Sequence, residues 1–444
     1  MSKPIIDLAK KYEEEGDLVS AIEVLTKGLQ AKPNDLFIQI ELGNLCALNK
    51  QFVDAVGYFR NSYMALKDNL DIRNALCFSL SELGNAYQIQ SQFSLAEACF
   101  EEAIQYEKNN WTYYYNLANA KDKLQKRDEA YQCYQKALNL NEQDADLWNN
   151  LGNAERELGH LDKAVASYER ALTINPLLFH AYLHLAHQKQ HMCDWQGIDQ
   201  LFRKICSIVN TNPAALISPF AFISNPFSSS QEQMVCANQW TQNHFKAQPF
   251  QKGRWERKNK IRIGYLSSDF KLHPLYFLIR DVIKYHDRDI FDIYAYDASP
   301  NENTNERTTL ISLFDHYRDI SSTNDGSAVT LINHDEIDIL IDLTGYTNNS
   351  RAFIAPQLKN TITINWLGYP GTMGFTGEKS LYEFILADDF IIPKSDEKYY
   401  AESILRLPFA YQPNIENRYQ LNHKNRQDYG IPSDAFVYCA FNQS

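Results

Sequence analysis

Along the first half of the chain, apolar residues recur with the period of an α-helix, and the whole pattern repeats every 34 residues. Residues 145–178 show it most completely, with these residues in order: Trp148, Leu151, Gly152, Ala164, Tyr168, Ala171 and Pro176. The pattern recurs in phase in four earlier windows and, in degraded form, in one later window: 2–35, 36–69, 77–110, 111–144 and 179–212. Such units bury their apolar faces only by stacking, so residues 1–212 are predicted to form an α superhelix with a concave surface.

The period and its small and aromatic positions are typical of tetratricopeptide repeats, which are helix–turn–helix units. The first helix of each unit faces the groove, and its sixth position is Asn116 in one unit and Asn150 in the next. A carboxamide carries both a donor and an acceptor, so it can pair with the backbone of an extended peptide of any sequence. We therefore predict a groove for protein or peptide partners that contains these two residues. The alternative is a solvent-exposed helix face, since Glu41, Glu82 and His184 occupy the same position in other units.

The pattern changes after residue 212. Prolines and serines interrupt the helical period, residues 231–246 resume it, and a charged segment follows, so 213–260 is predicted as a linker with one helix. From residue 261 onward, apolar runs alternate with helical stretches; the runs cover 261–266, 291–296, 337–343, 361–366, 383–387 and 436–441. This alternation predicts βαβ units and a parallel, doubly wound sheet, so 261–435 should form one α/β domain.

Two of the loops that follow predicted strands carry polar residues. Asp269 and His273 lie four residues apart where the first strand ends, and a carboxylate beside an imidazole suits general acid/base work on a hydroxyl. The alternative is that these residues only cap the next helix. The loop at 344–347 (Thr-Gly-Tyr-Thr) has two hydroxyls that could bind a ligand or cap a helix, and capping is the safer interpretation.

A third loop, at 366–372, reads Trp-Leu-Gly-Tyr-Pro-Gly-Thr after an apolar run. Gly368 and Gly371 allow the backbone to turn tightly and to approach a ligand without a Cβ in between, and Pro370 restricts the turn between them. Because the carboxyl ends of parallel strands lie on one edge of a sheet, all three loops are predicted to meet there. The chain has no dinucleotide fingerprint, P-loop or nucleophile elbow to support another enzyme class.

Charge and composition exclude several classes of protein. A formal net charge of −12 argues against a nucleic-acid partner, because backbone phosphates require a basic face. We find no apolar run of about 18 residues, so we expect no membrane span. The eight cysteines are scattered without metal-ligand spacing, so they predict neither a metal site nor a disulfide framework. A reducing, cytoplasmic location is the natural expectation.

In this combination the chain resembles the protein O-linked N-acetylglucosamine transferases, including the SPINDLY-type members. The resemblance is carried by the repeats, by residues 264–274, by the loops at 344–347 and 366–372, and by 407–413, 429–432 and 438–443, all in the order of that family. It implies a GT-B fold, in which two Rossmann-like lobes enclose the sugar nucleotide. It also implies inverting transfer of N-acetylglucosamine from UDP-GlcNAc to Ser or Thr hydroxyls, without a metal or other cofactor.

The resemblance assigns roles to individual residues. Asp269 and His273 match the family's active-site aspartate and histidine. By the same resemblance, the residues expected to contact the UDP-sugar donor are Leu367, Gly368, Pro370 and Gln443. The chain departs from the family's pattern in two places. Leu272 and Leu275 stand where the animal enzymes have asparagine and threonine, and residues 374–382 form a longer segment.

The family continues beyond the Phe-Asn-Gln motif into a nucleotide-binding lobe. Residues 436–444 would be the first strand of that lobe, so the chain is interpreted as a truncated member, and these 444 residues alone are expected to show no transfer. The alternative function is a tetratricopeptide scaffold that binds peptides and has a non-catalytic half-lobe. Which sugar is transferred (N-acetylglucosamine, glucose or fucose) stays open at this point.

Overall fold

The structure is a computed structural model that describes residues 3–245, 259–300, 302–377, 379–413, 425–432 and 434. Its internal contacts divide the chain into two compact units, Met1–Asp194 and Trp195–Ser444. The described residues of the first unit contain helices and turns, whereas the second unit is built around a β-sheet. The second helix of the degraded sixth repeat, predicted within 179–212, falls in the second unit.

The first unit is a series of helices that pair in chain order, two to each predicted repeat. They are α1 (Lys3–Glu14), α2 (Leu18–Ala31), α3 (Leu36–Leu48), α4 (Phe52–Ala65), α5 (Leu70–Ile89), α6 (Phe93–Tyr106), α7 (Trp111–Lys123), α8 (Arg127–Leu140), α9 (Ala145–Glu157), α10 (Leu161–Ile174) and α11 (Phe179–His191). The five in-phase repeats are therefore confirmed as helix pairs. The extra residues between 69 and 77 lengthen α5, which has 20 residues.

Local chemistry explains where these helices begin and how closely they pack. The first helix of several repeats starts at an Asp or Asn whose side chain accepts a backbone N–H, as Asp144 does from Leu147 at 2.7 Å. Within a repeat, a glycine of the first helix faces an aromatic ring of the second. A Cβ on Gly84 would lie 2.6 Å from the Phe100 ring, so the helix contact requires glycine there.

The second unit begins with three helices and continues as alternating strands and helices. Its helices are α12 (Ile198–Thr211), α13 (Pro219–Ile223), α14 (Ser230–His244), α15 (Pro274–Lys284), α16 (Asn305–Ile311) and α17 (Asp325–His334). Its strands are β1 (Ile261–Ser267), β2 (Phe291–Asp297), β3 (His316–Asp319), β4 (Ile339–Asp342), β5 (Ile362–Asn365), β6 (Phe375–Thr376), β7 (Lys379–Ser380), β8 (Phe384–Ala387) and β9 (Ser403–Arg406).

Within the described residues, seven strands form one sheet in the order β3-β2-β1-β4-β5-β8-β9, and every adjacent pair is parallel. Strands β6 and β7 form a separate antiparallel pair. Apolar cores lie on both faces of the sheet: Ile263 and Tyr265 of β1 pack in the core that contains Ile279 of α15, and Leu266 packs in the core that contains Ile332 of α17. The predicted doubly wound α/β fold is confirmed.

The sequence prediction missed β3 and β9, and both are edge strands of the sheet. The helix predicted at 231–246 is α14, and it packs within the second unit, where buried Thr241 donates from Oγ1 to the Met373 carbonyl at 2.7 Å. The strand predicted at 436–441 lies outside the described residues. Within the described ranges, no helix is long and apolar enough to cross a bilayer.

Candidate functional site

A cavity of about 500 Å³ opens at the carboxyl edge of the sheet. It is lined by the loops that follow three strands, with further residues from α13 and α15: Asp269, Lys271 and His273 after β1; Leu343, Thr347 and Asn348 after β4; Leu367 and Gly368 after β5; and Phe220, Pro274, Leu275 and Leu278. The chain runs from β1 outward to β2 on one side, and β4 lies on the other side of β1. The cavity therefore lies at the point where the strand order reverses, which is where open α/β sheets bind their ligands.

Asp269 contributes a carboxylate to this cavity. Its main chain is held within the loop, because its N–H donates to Ser267 Oγ at 3.0 Å and its carbonyl accepts from the Lys271 N–H at 2.8 Å. Across the part of the chain that the structure describes, the Asp269 carboxylate has no hydrogen-bond or ion-pair partner. A half-buried carboxylate in this state is available to accept a proton from a ligand.

His273 lines the same cavity and is also the N-cap residue of α15. Its Nδ1 accepts the Leu275 N–H at 3.3 Å, so the neutral imidazole carries its proton on Nε2. The capping interpretation given for this residue is therefore confirmed, and its acid/base role stays a prediction for a residue that also lines the cavity. In this tautomer the imidazole offers an N–H donor from Nε2, while its Nδ1 lone pair is already used, so the Asp269 carboxylate supplies the free acceptor oxygens of the two residues.

The main chain of Phe270, which lies between Asp269 and His273, is held by hydrogen bonds on both its N–H and its carbonyl. The Phe270 N–H donates to Ser299 Oγ at 2.8 Å, and the Phe270 carbonyl accepts from Arg307 Nη1 at 3.1 Å. Arg307 is itself held by a buried ion pair with Asp297 at 2.7 Å. Because Phe270 is fully buried, the loop has little freedom at its centre, and Asp269 and His273 project from a rigid support.

The loop after β4 is tied to the loop after β1. Asp342 is fully buried and accepts hydrogen bonds from the Thr344 N–H at 2.8 Å, from the Gly345 N–H at 3.3 Å and from the Tyr382 hydroxyl. Burial raises the pKa of Asp342. Thr344 Oγ1 accepts the Ser268 N–H at 3.1 Å, so this hydroxyl joins the two loops instead of capping a helix. Only Thr347 of the two predicted hydroxyls lines the cavity.

The Gly-Tyr-Pro-Gly loop approaches the loop after β4 very closely. A Cβ on Gly368 would lie 2.2 Å from the Leu343 carbonyl oxygen and 2.9 Å from that of Thr344, so only glycine fits. Leu367 has a φ of 78°, an unfavourable backbone conformation for a bulky residue, although its side chain is buried. Strain of this kind is typical of ligand-binding segments. Pro370 does not line the cavity; its carbonyl accepts the Tyr400 hydroxyl at 3.2 Å.

A buried carboxyl group supports the end of this loop. Glu402 is 4% exposed and accepts from Thr372 Oγ1 at 2.8 Å and from the Met373 N–H at 2.7 Å. Burial raises the pKa of Glu402 to about 7, although these hydrogen bonds act in the opposite direction. No sequence motif pointed to Glu402, because its partners lie about 30 residues earlier in the chain.

The remaining predicted site residues lie elsewhere. Gln443 falls outside the described residues. Asn116 is half-buried and donates from Nδ2 to Asn85 Oδ1 of the preceding repeat at 3.2 Å. Asn150 donates to the Tyr115 hydroxyl at 3.0 Å and accepts from Asn149 at 3.3 Å. Both amides thus connect neighbouring repeats, while Asn116 Oδ1 has no hydrogen-bond partner among the described residues.

The cavity residues that were not identified from the sequence include Phe220, Lys271 and Asn348. Phe220 comes from α13, about 50 residues before the first loop, and no local pattern connects it with the site. Lys271 lies between the two predicted catalytic residues, and this position in the sequence could have identified it as a site residue. Asn348 directly follows the 344–347 loop and was one residue beyond the predicted range.

Comparisons with known proteins agree on one family. The sequence model of glycosyl transferase family 41 matches residues 192–423, which is just over half of the chain. Three models of tetratricopeptide repeats match residues 79–110, 123–154 and 145–176. The described loops of the cavity all fall inside the segment matched by the glycosyl transferase model.

Individual relatives carry related names. A probable UDP-N-acetylglucosamine–peptide N-acetylglucosaminyltransferase, SEC, of Arabidopsis thaliana is 30% identical over 58% of this chain and 28% of its own length. The UDP-N-acetylglucosamine–peptide N-acetylglucosaminyltransferase of Caenorhabditis elegans is 28% identical over 50% of this chain and 20% of its own length. The chain thus spans less than a third of either relative. A mutant O-GlcNAc transferase of Thermobaculum terrenum superposes with a TM-score of 0.48 at 20% identity, covering 77% of this chain and 59% of that chain.

Proposed function

Because the chain belongs to glycosyl transferase family 41, we propose that it transfers N-acetylglucosamine from UDP-N-acetylglucosamine to serine or threonine hydroxyls of proteins. The names of the relatives in plants and nematodes support this donor and a peptide acceptor. The observation that carries the proposal is the Asp269 carboxylate, which has no partner among the described residues and lines the same cavity as Gly368 and the strained backbone of Leu367.

In the proposed reaction the acceptor hydroxyl attacks C1 of the sugar from the side opposite to UDP, which inverts the configuration at C1. The bond from C1 to the acceptor oxygen forms, the bond from C1 to the diphosphate oxygen breaks, and its electron pair leaves with UDP. Asp269 accepts the hydroxyl proton, a role worth about 10²–10⁴ in rate for a positioned base. His273 donates from Nε2 to an oxygen of the donor, and the Leu367–Gly368 backbone lies against the sugar.

The repeats would deliver the acceptor. We propose that Asn116 and Asn150 contact the backbone of a protein acceptor, since the unpartnered Oδ1 of Asn116 can accept a peptide N–H. The proposed reaction needs no metal, so transfer should be unchanged by EDTA. A cytoplasmic location is proposed from cysteine usage: the cysteines within the described ranges are all free thiols, and only Cys193 among them is exposed.

The test is a transfer assay on the protein in the full length that its gene encodes. The protein is incubated with protein acceptors and radiolabelled UDP-N-acetylglucosamine, and in parallel with UDP-glucose and GDP-fucose. Labelling of protein from UDP-N-acetylglucosamine, at least tenfold above the other donors, is the expected result. Peptide binding without transfer from any of the three donors would instead establish the scaffold alternative, and preferential labelling from another donor would correct the sugar.

A further inference from the structure

Lys271 gives the cavity a positive charge that no predicted role accounts for. Its side chain lines the cavity between Asp269 and His273, and it is the one lysine or arginine among the described lining residues. Its ammonium lies 3.7 Å from Glu302 Oε1, and the two side chains are 23% and 44% exposed. This pair is loose and partly solvated, so it contributes little to stability and is easily exchanged for another anion.

The remaining polar features beside Lys271 also favour an anion. The cavity includes the first residues of α15, an 11-residue helix whose N-terminal end carries partial positive charge. His273 holds its proton on Nε2 because Nδ1 accepts the Leu275 N–H. An ammonium, an imidazole N–H and a helix N-terminus thus converge on one cavity whose single described acidic lining residue is Asp269.

We propose that Lys271 is a donor-binding residue that pairs with the diphosphate of the sugar nucleotide, and that Glu302 holds its ammonium until the donor displaces it. This proposal rests on the proposed function, because it assigns the anion to the UDP-sugar. A diphosphate carries more negative charge and more acceptor oxygens than one carboxylate, so it outcompetes Glu302 for the lysine. The charge that develops on UDP as the C1–oxygen bond breaks is then stabilised by a cation already in place.

Substitutions of the two members of the ion pair should change the affinity for anions in opposite directions. Lys271→Gln should weaken the binding of inorganic pyrophosphate and of UDP by about tenfold, the usual effect of losing a charge-assisted contact. Glu302→Gln removes the competing carboxylate and should tighten both by about threefold, in line with a partly exposed ion pair. Lys271→Arg keeps the charge and should retain most of the affinity.

The experiment is an NMR titration of the protein with pyrophosphate and, separately, with UDP, repeated at about 20 mM and about 200 mM NaCl to screen the charge. Lys284→Gln, at the far end of α15 and outside the cavity, is the matched control for the lysine change. Asp289→Asn, exposed just before β2, is the control for the loss of one negative charge. Far-UV circular dichroism confirms that every variant is folded.

Salt-dependent affinity that falls in Lys271→Gln and rises in Glu302→Gln, with both controls unchanged, is the expected result. Wild-type affinity for both anions in Lys271→Gln, or no binding of either to the wild type, would overturn the proposal. An unchanged affinity in Glu302→Gln would overturn the competition between the two anions. If the wild type binds both anions through Lys271 but shows no transfer activity, the proposed function is contradicted and the binding role of Lys271 stands. The two failures are therefore distinguishable.

Discussion

Two buried glutamates, one in the helical repeats and one in the α/β unit, have pKa values that are shifted in opposite directions. Glu97 of the repeats is 9% exposed; burial raises its pKa, but hydrogen bonds from Lys121 and Lys126 at 2.7–2.8 Å outweigh this, and the pKa is lowered. Glu402 of the α/β unit is 4% exposed and accepts only neutral donors, and burial raises its pKa to about 7.

The same contrast holds for the predicted functional residues. In the repeats, Asn116 and Asn150 are used in bonds between neighbouring units, whereas the carboxylate of Asp269 has no partner among the described residues of the α/β unit. Polar groups in the repeats mainly complete the stacking. In the α/β unit, a rigid buried support leaves a few polar groups free, and this difference supports the proposal that the chemistry takes place there.

Apart from the removal of the Asp269 carboxylate, the largest effect is expected from Gly368→Ala. The new Cβ would lie 2.2 Å from a backbone oxygen that cannot move without shifting the loop after β4. We expect a loss of transfer rate of at least about 100-fold, because small misplacements of a reacting geometry are that costly. Steady-state kinetics of the full-length protein measure it. Wild-type activity in this variant would show that the close approach of the two loops is not needed.

Opposite pH dependence of the two units is the next prediction. The raised pKa of Glu402 means that its contribution to stability is complete below about pH 4.5 and is lost as the pH rises through about 7. Glu97, with a lowered pKa, contributes above about pH 4.5 and loses that contribution in acid. Glu402→Gln cannot ionise and should flatten the pH profile of the α/β unit by on the order of 3 kcal/mol between pH 5 and 8.

Hydrogen exchange of β5 and of α6 in urea, measured from about pH 3 to about pH 8 so that both glutamates titrate, reports the two units separately. Asp289→Asn, at an exposed position just before β2, is the control and should leave the profile of β5 unchanged. Parallel pH profiles in β5 and α6 would contradict the contrast between the two glutamates.

A third prediction compares two glycines within the repeats. Gly84→Ala places a Cβ 2.6 Å from the Phe100 ring and should destabilise the α5–α6 pair by about 1–3 kcal/mol. A methyl group added at Gly57 of α4 would have no neighbouring atom within 4 Å, so Gly57→Ala should stabilise its helix by about 0.5–1 kcal/mol. Local hydrogen exchange measures both, and equal effects would show that the close helix contact carries no energy.

The smallest effect concerns acceptor binding. The double variant Asn116→Ala with Asn150→Ala should raise KM for protein acceptors by about threefold while leaving short peptides unaffected, because these amides would hold the acceptor far from the reacting atoms. Steady-state kinetics with both acceptor types provide the measurement. An equal change in KM for short peptides would indicate a general disturbance of the repeats instead of a lost contact.

The repeats could be predicted nearly residue by residue because their signal is local and recurs five times in phase. The sheet could be predicted only in its buried strands. Strands β3 (His-Tyr-Arg-Asp) and β9 (Ser-Ile-Leu-Arg) lie at the edges, where one side has no neighbouring strand among the described residues, and no apolar run marks them.

The part of the site formed by loops that directly follow strands could be predicted from the sequence. Asp269, His273, Leu367 and Gly368 do line one cavity, as the rule for parallel sheets requires. Pro370 does not line this cavity, whereas Lys271 and Phe220 do. Which side chains face the cavity depends on packing that no local pattern encodes, such as the support of Phe270 by Ser299 and Arg307.

The central claim is that the unpartnered carboxylate in the cavity performs the chemistry, and Asp269→Asn tests it most directly. In the full-length protein this isosteric change should lower kcat by about 10²–10⁴ with little change in donor KM, as expected for the loss of a general base. Asp289→Asn, an exposed carboxylate before β2, should leave kcat unchanged. Wild-type kcat in Asp269→Asn would contradict the account, because the proton of the acceptor hydroxyl would then have to go elsewhere.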